Sequence, residues 1–363
     1  MGIGRSKRVL VYRIGQIGDT VIALPALRAV RAHFSGAHIA LLTDTHTRGQ
    51  VPARSVLPET GLFDEWLSYP AATTGSSAKA ILSVLPTLWK RRFDTLVYLA
   101  PRLRTHNQIT RDLLFFRLAG IRHFIGHQGF QSLPSVNPGD ALPRMEHEAD
   151  HLLNRLAVSG VPVPPPGEGS LDLALTQDEQ LAADRWLDSH PARDSERRVA
   201  ICPGSKWASK VWPEPYYAEL GRRLIAELNV DPVVFGGPED AAVAERLIRG
   251  WGRGSCAAGA LSVRQSAAAL RRCDLYVGND TGAMHLAAAV GTPCVAVFSA
   301  QDWPGRWYPY GPGHTVLRRS VSCEGCLLSV CTEQGLRCLT EIGVDAVLAA
   351  CRGKLAERSP VAG

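Results

Sequence analysis

Short apolar runs and amphipathic stretches alternate along most of the chain. The apolar run Val9–Ile14 predicts a buried strand, and the spacing of apolar residues over Thr20–Phe34 predicts a helix directly after it. The same order recurs in the second half, where Leu275–Val277, Ala283–Val290 and Cys294–Phe298 indicate strand, helix and strand. Such alternation favours parallel sheets with helices on both faces, so we expect an α/β fold.

The remaining elements continue this pattern. Further strands are predicted at His38–Thr43, Thr95–Leu99, His123–Ile125, Val199–Cys202 and Pro232–Phe235, with another bordered by Phe63–Trp66. Further helices are predicted at Ser76–Arg92, Gln108–Leu118, Glu146–Val158, Gln177–Ser189, Glu214–Leu228, Ala241–Arg249, Val263–Leu270 and Val344–Glu357. Residues 161–170 contain four prolines and two glycines, which indicates a linker.

This organisation predicts two doubly wound, Rossmann-like domains that face each other across a cleft. The first is expected over residues 1–165 and the second over 196–340, with a linker region over 166–195. The final helix and tail, residues 341–363, are expected to cross back to the first domain.

Polar, glycine-containing loops follow four of the predicted strands, at residues 15–19, 203–206, 236–240 and 278–282. Open α/β sheets bind ligands outside the carboxyl ends of their strands, so these loops are expected to converge on the cleft. In the last loop the glycines permit a sharp bend, and Thr281 is expected to cap the helix that follows. The free N–H groups of that helix favour phosphate.

Two acidic residues and a histidine are candidates for function here. Asp19 either caps the helix that follows it or acts as a catalytic carboxylate at the mouth of the sheet. Asp280 and His285 could contact sugar hydroxyls, although a lone helical histidine is more often structural.

The composition is that of a globular protein. Of 363 residues, 45% are hydrophobic and 20% are charged, which excludes a disordered or collagenous chain. Nine cysteines are spread over a long chain with no evident secretory leader, so we expect a cytoplasmic protein and not a disulfide scaffold. No transmembrane span is expected, because a histidine and the segment 291–293 interrupt the longest apolar run.

Positive charge is concentrated between Lys90 and Arg122, although the net charge of the chain is only +6. This segment carries eight lysines and arginines against two carboxylates, Asp94 and Asp112. It could face an anionic acceptor, an anionic membrane surface or nucleic acid, or it could form ordinary solvated helix faces.

Four cysteines form a separate cluster with the spacing Cys323-x2-Cys326-x4-Cys331-x6-Cys338. Four thiols so close in sequence can hold a structural zinc or iron ion. The later spacings differ from those of common zinc ribbons, so reduced or redox-labile thiols are the alternative.

Five segments carry a resemblance to a known family. They are RIGQIGDTVIALPALRAVR at 13–31, CPGSKWASKVWPEPYYAEL at 202–220, FGGPEDAAVAERL at 235–247, VGNDTGAMHLAAAVGTPCVAVF at 277–298 and GRWYPYG at 305–311. Together they resemble the ADP-heptose lipopolysaccharide heptosyltransferases, glycosyltransferase family 9 of the GT-B fold. The resemblance implies an N-terminal acceptor domain and a C-terminal nucleotide-sugar donor domain.

The resemblance also implies inverting transfer of a sugar from a nucleoside diphosphate to an acceptor hydroxyl. Asp19 matches the family's proposed general base, and Lys210 matches a lysine that binds the donor phosphates. Further positions that match donor contacts are Ser205, Glu239, Asp280, Thr281 and Gly282, with His285 as an additional candidate. No catalytic metal or other cofactor is implied.

The expected function is heptose transfer from an ADP-sugar to an anionic glycolipid or other glycan in lipopolysaccharide core synthesis, beside the inner membrane. The alternatives are a different donor, a protein or small-molecule acceptor, and a non-catalytic protein that retains the nucleotide-sugar site. A dinucleotide oxidoreductase is disfavoured because no strict GxGxxG follows either first strand. Nucleic-acid binding is disfavoured because no recognised module is present.

Overall fold

The computed structural model describes residues 7–45, 51–70, 82–134, 136, 140–192, 197–332 and 334–357. The chain folds into two compact units. One consists of Met1–Pro134 with Glu148–Leu173, and the other of Ser135–His147 with Ala174–Gly363.

The first unit contains a five-stranded parallel sheet with the order β3-β2-β1-β4-β5. Its strands are β1 (Arg8–Tyr12), β2 (His38–Thr45), β3 (Glu65–Pro70), β4 (Thr95–Tyr98) and β5 (His123–Ile125). Its helices are α1 (Ile17–Val21), α2 (Leu24–His33), α3 (Leu85–Arg91), α4 (His106–Leu118) and α5 (Glu148–Val158). The strand order reverses between β1 and β4, so the loops after these strands lie at the switch point, where such sheets bind ligands.

The second unit contains a six-stranded parallel sheet with the order β11-β10-β9-β6-β7-β8. Its strands are β6 (Arg197–Cys202), β7 (Val230–Val234), β8 (Ser255–Cys256), β9 (Leu275–Asn279), β10 (Cys294–Phe298) and β11 (Thr315–Arg318). Its helices are α6 (Gln177–Asp188), α7 (Glu214–Leu228), α8 (Ala241–Trp251), α9 (Val263–Arg271), α10 (Gly282–Ala289), α11 (Arg337–Thr340) and α12 (Val344–Glu357). The switch point of this sheet lies between β6 and β9.

Apolar side chains fill both cores, which confirms the predicted α/β class. Every residue of β4, β7, β9 and β10 is buried, as expected of strands covered on both faces. In the second unit the buried indole of Trp212 donates from Nε1 to the carbonyl oxygen of Ile342 at 2.9 Å. Within the described residues, no helix is long and apolar enough to span a membrane.

Several elements differ from the sequence-based prediction. The single helix predicted over Thr20–Phe34 is two helices, α1 and α2, because Pro25 has no N–H to donate to the preceding turn and lies instead in the first turn of α2. Of the helix predicted over Ser76–Arg92, residues 76–81 lie outside the described part of the chain. The pattern does not predict β8, β11 or α11, each of which is short.

The boundaries between the units also differ from the expected ones. Residues 135–147 join the second unit, and α6, within the expected linker region 166–195, packs against α9 of that unit. Helix α12 was expected to return to the first unit, but it packs against α7, β9 and β10. Its buried face explains this placement, since Val347, Leu348 and Cys351 belong to the core of the second unit.

Candidate functional site

Three predicted loops of the second unit meet at the carboxyl edge of its sheet. The side chain of Asn279, at the end of β9, is fully buried and joins two of them. Its Nδ2 donates to the carbonyl oxygens of Pro203 at 2.8 Å and Gly204 at 3.3 Å, after β6. Its Oδ1 accepts from the backbone N–H of Trp212 at 3.0 Å. Asn279 therefore holds the loop after β6 against the end of β9.

The third loop, which follows β7, is held by Asp240. Its Oδ2 accepts from the backbone N–H of Gly237 at 2.9 Å. A Cβ on Gly204 would lie 2.1 Å from Asp240 Oδ1, and one on Gly236 would lie 2.5 Å from Oδ2, so both glycines permit this close approach. Burial raises the pKa of Asp240. Glu239, predicted to bind the nucleoside, is exposed beside it.

Lys210 and Asp280 form an ion pair at the switch point. Lys210 Nζ lies 2.6 Å from Asp280 Oδ2, and the two side chains are 17% and 8% exposed. Burial raises the pKa of Asp280, and the lysine opposes this increase. The Lys210 ammonium also lies 5.3 Å from the ring centroid of Trp207. The structure thus brings together two residues that the sequence places 70 positions apart.

Helix α10 begins next to this ion pair. Thr281 is its N-cap residue, but contrary to the prediction its side chain accepts no capping hydrogen bond, and the hydroxyl lies instead 3.5 Å from the Tyr276 hydroxyl. The first N–H groups of α10 therefore have no capping side chain, an arrangement that suits an anion. Gly282 opens the helix. Ser205, after β6, accepts weakly from the backbone N–H of Trp207 at 3.4 Å.

His285 lies on the first turns of α10 and is 2% exposed. Burial, together with the charges of His147 and Lys210, lowers its pKa to about 3, so the ring is neutral near pH 7. Its Nδ1 is buried without a hydrogen-bond partner. The Trp307 ring lies 6.3 Å from its ring. A buried neutral imidazole with an unused nitrogen is able to bind a polar ligand group.

The pKa of His285 predicts a specific pH dependence of stability. The pKa of His285 in the folded protein is far below the ordinary value near 6.5, so the unfolded chain binds the imidazole proton more tightly. The contribution of neutral His285 to the unfolding free energy is therefore lost as pH falls from about 6.5 towards 3. We expect His285→Gln to flatten the stability profile by up to about 1.4 kcal/mol per pH unit in that window. Urea unfolding at several pH values measures this, and His106→Gln at the exposed start of α4 is the control. Equal slopes for His285→Gln and the parent would contradict the assignment.

Two residues of the loop after β10 were missed from the sequence. Asp302 accepts from Arg306 Nη1 at 3.1 Å and from Trp307 Nε1 at 3.1 Å, and Arg306 is 2% exposed. The charge of Asp302 raises the pKa of Asp280, and the charge of Arg306 lowers it. The segment 305–311 belongs to the resemblance, but nothing in its sequence indicates that Arg306 would be buried. Its carboxylate partner at the i−4 position was the available signal.

Asp19 lies at the switch point of the first unit, in the first turn of α1. Its Oδ2 accepts from the backbone N–H of Gln16 at 3.0 Å, which is the structural role that the sequence allowed. The buried Arg13 donates to the Asp19 carbonyl oxygen at 2.6 Å, and its Nη2 lies 3.6 Å from Oδ1. Gly15, at φ +147°, permits the approach of Asp19, since a Cβ there would lie 2.3 Å away. The carboxylate, 23% exposed, is fixed in place and still accessible.

The four clustered cysteines line one pocket of the second unit. Burial and the neighbouring thiols raise the pKa values of Cys323 and Cys338. Gln301 lines the same pocket, and both atoms of its buried side-chain amide lack a hydrogen-bond partner, which suits a polar or ionic occupant. In the part of the chain that the structure describes, however, no three His, Cys, Asp or Glu side chains are grouped so as to hold a metal ion. A structural metal therefore stays a prediction.

Elemental analysis of the purified protein tests that prediction. If the cysteines hold zinc or iron, we expect about one ion per chain, because structural thiolate sites bind tightly enough to survive purification. The double variant Cys326→Ser, Cys331→Ser should then lose the ion, whereas Cys351→Ser, a buried core residue that does not line the pocket, should retain it. If the parent protein contained neither zinc nor iron, the prediction would be contradicted, and reduced or redox-labile thiols would be the remaining interpretation of the four cysteines.

Comparisons with known proteins identify the family of the chain. The family model described as glycosyltransferase family 9 (heptosyltransferase) matches residues 147–337, just over half of the chain. The lipopolysaccharide heptosyltransferase 2 of Salmonella typhimurium is 32% identical over 314 residues, which cover 80% of this chain and 82% of that protein.

Solved structures share the fold. A glycosyl transferase family 9 structure from Veillonella parvula has a TM-score of 0.71 at 20% identity, covering 97% of each chain. The ADP-heptose lps heptosyltransferase II of E. coli has a TM-score of 0.65 at 21% identity, covering 96% of this chain and 99% of that one. The two parallel-sheet units are thus those of a GT-B protein. The chain belongs to glycosyltransferase family 9, the heptosyltransferase family.

Proposed function

We propose that this protein transfers heptose from ADP-heptose to a hydroxyl group of an anionic glycolipid during synthesis of the lipopolysaccharide core. The observation that carries the proposal is the Lys210–Asp280 ion pair at the switch point, beside the uncapped N-terminus of α10. A cation and free N–H groups together suit a diphosphate, and a carboxylate suits sugar hydroxyls. Family membership and the 32% identical heptosyltransferase support the choice of heptose.

In this proposal the second unit binds the donor. Lys210, Ser205 and the N–H groups of Thr281 and Gly282 bind the diphosphate, and Asp280 accepts from hydroxyls of the sugar. Glu239 accepts from the ribose or the adenine amino group. Asn279 is a positioning residue, since its hydrogen bonds hold the loops after β6 and β9 together. His285 offers a neutral ring nitrogen to the same ligand.

The first unit is proposed to bind the acceptor, with Asp19 as the general base. The acceptor oxygen attacks the anomeric carbon from the face opposite ADP and forms the new glycosidic bond, while its proton passes to the Asp19 carboxylate. The bond from the anomeric carbon to ADP breaks, and its electron pair leaves with the diphosphate. Lys210 and the start of α10 stabilise the charge that develops there. The configuration at the anomeric carbon is inverted.

The setting proposed for the reaction is the cytoplasmic face of the inner membrane. The similar proteins of Salmonella typhimurium and E. coli are lipopolysaccharide heptosyltransferases, and the lipid part of lipopolysaccharide remains in a bilayer. An excess of positive charge between Lys90 and Arg122, in the first unit, suits an anionic acceptor of this kind.

Thermal unfolding with nucleotides tests the donor assignment. We expect ADP at a hundred times its Kd to stabilise the parent by about 2.7 kcal/mol, with smaller effects from UDP, GDP and NADH at equal concentration. Glu239→Gln should reduce the ADP effect because a charged hydrogen bond to the nucleoside is lost. Glu219→Gln, on the exposed face of α7, is the matched control. Stabilisation by UDP or GDP instead of ADP would contradict the donor assignment.

A non-catalytic protein that retains the nucleotide site is the second candidate, because the Asp19 carboxylate also has a purely structural partner in Gln16. Such a protein would show the ADP effect without transfer. Product formation from ADP-heptose therefore separates the two functions.

A further inference from the structure

Two neighbouring helices of the first unit expose large apolar side chains. Trp89 on α3 is 54% exposed, and Leu114 and Leu118 on α4 are 53% and 70% exposed. Trp89 Nε1 donates to the Leu118 carbonyl oxygen at 2.8 Å, so the two helices present these side chains together. Leu114 and Leu118 are four positions apart and therefore share one face of α4. Single exposed leucines are common, but a joined indole and leucine group is an apolar patch.

Exposed cations lie close in the sequence to the residues of this patch. Lys90, Arg92, Arg117 and Arg122 are all exposed, and none forms an ion pair with the residues that the structure describes. The Arg117 guanidinium lies 5.1 Å from the ring centroid of Phe124. These four positive charges are available to an external partner.

The two carboxylates of this segment do not offset those cations. Asp94 accepts from the backbone N–H groups of Lys7 at 2.9 Å and Arg8 at 3.1 Å. Asp112 is 2% exposed and accepts from the Tyr98 hydroxyl at 2.7 Å and from Arg111. Both carboxylates accept hydrogen bonds within the unit, so the exposed charged side chains of residues 90–122 are cations.

We propose that one surface of the first unit, here called the α3–α4 surface, docks on an anionic lipid bilayer. It consists of Trp89, Leu114 and Leu118 with Lys90, Arg92, Arg117 and Arg122. Indole and leucine side chains enter the boundary between headgroups and acyl chains, and the surrounding cations meet the lipid phosphates. Nucleic acid would be drawn by the charge but would leave the leucines exposed to water. The inference rests on the proposed function only for its biological setting, since it concerns a surface of the first unit and not the donor site.

Co-sedimentation of the full chain with lipid vesicles tests the inference. The vesicles contain phosphatidylcholine alone or with a quarter of phosphatidylglycerol, and no nucleotide or acceptor is present. We expect at least about tenfold stronger partition into the anionic vesicles, falling as salt is raised. Leu118→Glu, and separately the double variant Arg117→Glu, Arg122→Glu, should each lower this partition by about tenfold or more.

Two matched substitutions serve as controls. Val158→Glu replaces a 60% exposed residue of α5, the helix that packs against α2, and Arg271→Glu replaces an exposed cation of the second unit. Both should bind vesicles within about twofold of the parent. The unfolding midpoint of every variant shows whether it is folded. Stabilisation by ADP, measured for every variant, tests the donor assignment independently of vesicle binding.

The outcomes decide between partners. No preference of the parent for anionic vesicles would overturn the proposal, as would variants of the α3–α4 surface that bind like the controls. Retention of a labelled single-stranded oligonucleotide, lost in the Arg117 and Arg122 variant and without any vesicle binding, would overturn it in favour of nucleic acid.

Discussion

Asp19→Asn should lower kcat by about 10²- to 10⁴-fold, the range that a general base contributes. The asparagine oxygen can still accept from the Gln16 N–H, so the start of α1 should persist while the proton acceptor is lost. Because Asp19 lies in the first unit and the donor residues lie in the second, the stabilisation by ADP should be unchanged. Initial rates of ADP release and thermal unfolding with ADP measure the two effects.

The control for Asp19 is Asp172→Asn, an exposed carboxylate of the same unit that is ion-paired with Arg28 at 3.2 Å. It should retain the parent rate. A rate of Asp19→Asn within about threefold of the parent would mean that the carboxylate serves only the capping role, since even modest base catalysis exceeds that ratio.

Lys210→Met should remove activity and also destabilise the fold. Loss of the cation that faces the departing diphosphate is expected to lower kcat/KM by about 10²- to 10³-fold. The Asp280 carboxylate, which is 8% exposed, would lose its partner. Breaking a fully buried ion pair costs about 3 kcal/mol of unfolding free energy, and the partly exposed Lys210–Asp280 pair should cost no more than that. Activity assays and urea unfolding measure the two losses.

The destabilisation should depend on pH in a defined direction. Burial raises the pKa of Asp280, and Lys210 partly offsets this increase. Without Lys210 the folded variant therefore binds the proton of the Asp280 carboxyl more tightly than the unfolded chain does. Lys210→Met should therefore approach the stability of the parent near pH 4 and lose it as pH rises, because the carboxyl must ionise without a partner. The double variant Lys210→Met, Asp280→Asn should recover stability at pH 7 but not activity.

Lys354→Met is the matched control for Lys210. Lys354 is 14% exposed and ion-paired with Glu357 at 2.8 Å, so it resembles Lys210 in exposure and pairing but lies on α12. It should leave kcat/KM unchanged. A Lys210→Met variant with the parent's kcat/KM would contradict a role for this lysine in donor chemistry.

The sheets and the place of the loops were predictable from the sequence. Strands such as β1 and β10 are almost continuously apolar, and such runs followed by glycine-containing loops favour a parallel sheet. The strand orders, which the sequence pattern does not predict, place Asp19 and Asp280 at the switch points of the two sheets. The resemblance alone indicated Lys210, because its partner is 70 residues away and no local pattern connects them.

The side-chain network around the site was not predictable. Asn279 stands in the sequence as an ordinary turn residue, yet its partners at Pro203 and Trp212 fix two loops. Thr281 has the sequence of a helix cap, but a hydroxyl can point elsewhere, and it lies towards Tyr276. The break between α1 and α2 depends on whether Pro25 lies in the interior of one helix or in the first turn of a second one. The apolar spacing does not give the residue at which a helix begins, so it could not decide between the two.

The central claim is heptose transfer from an ADP-linked donor, and mass spectrometry of the product tests it most directly. The purified protein is incubated with ADP-heptose and a lipopolysaccharide acceptor truncated before its heptoses, and both the acceptor and the released nucleotide are measured. The account predicts an acceptor heavier by one heptosyl residue, an equimolar amount of ADP, and neither product with Asp19→Asn. An unchanged acceptor with intact ADP-heptose, in protein that is stabilised by ADP, would contradict the claim.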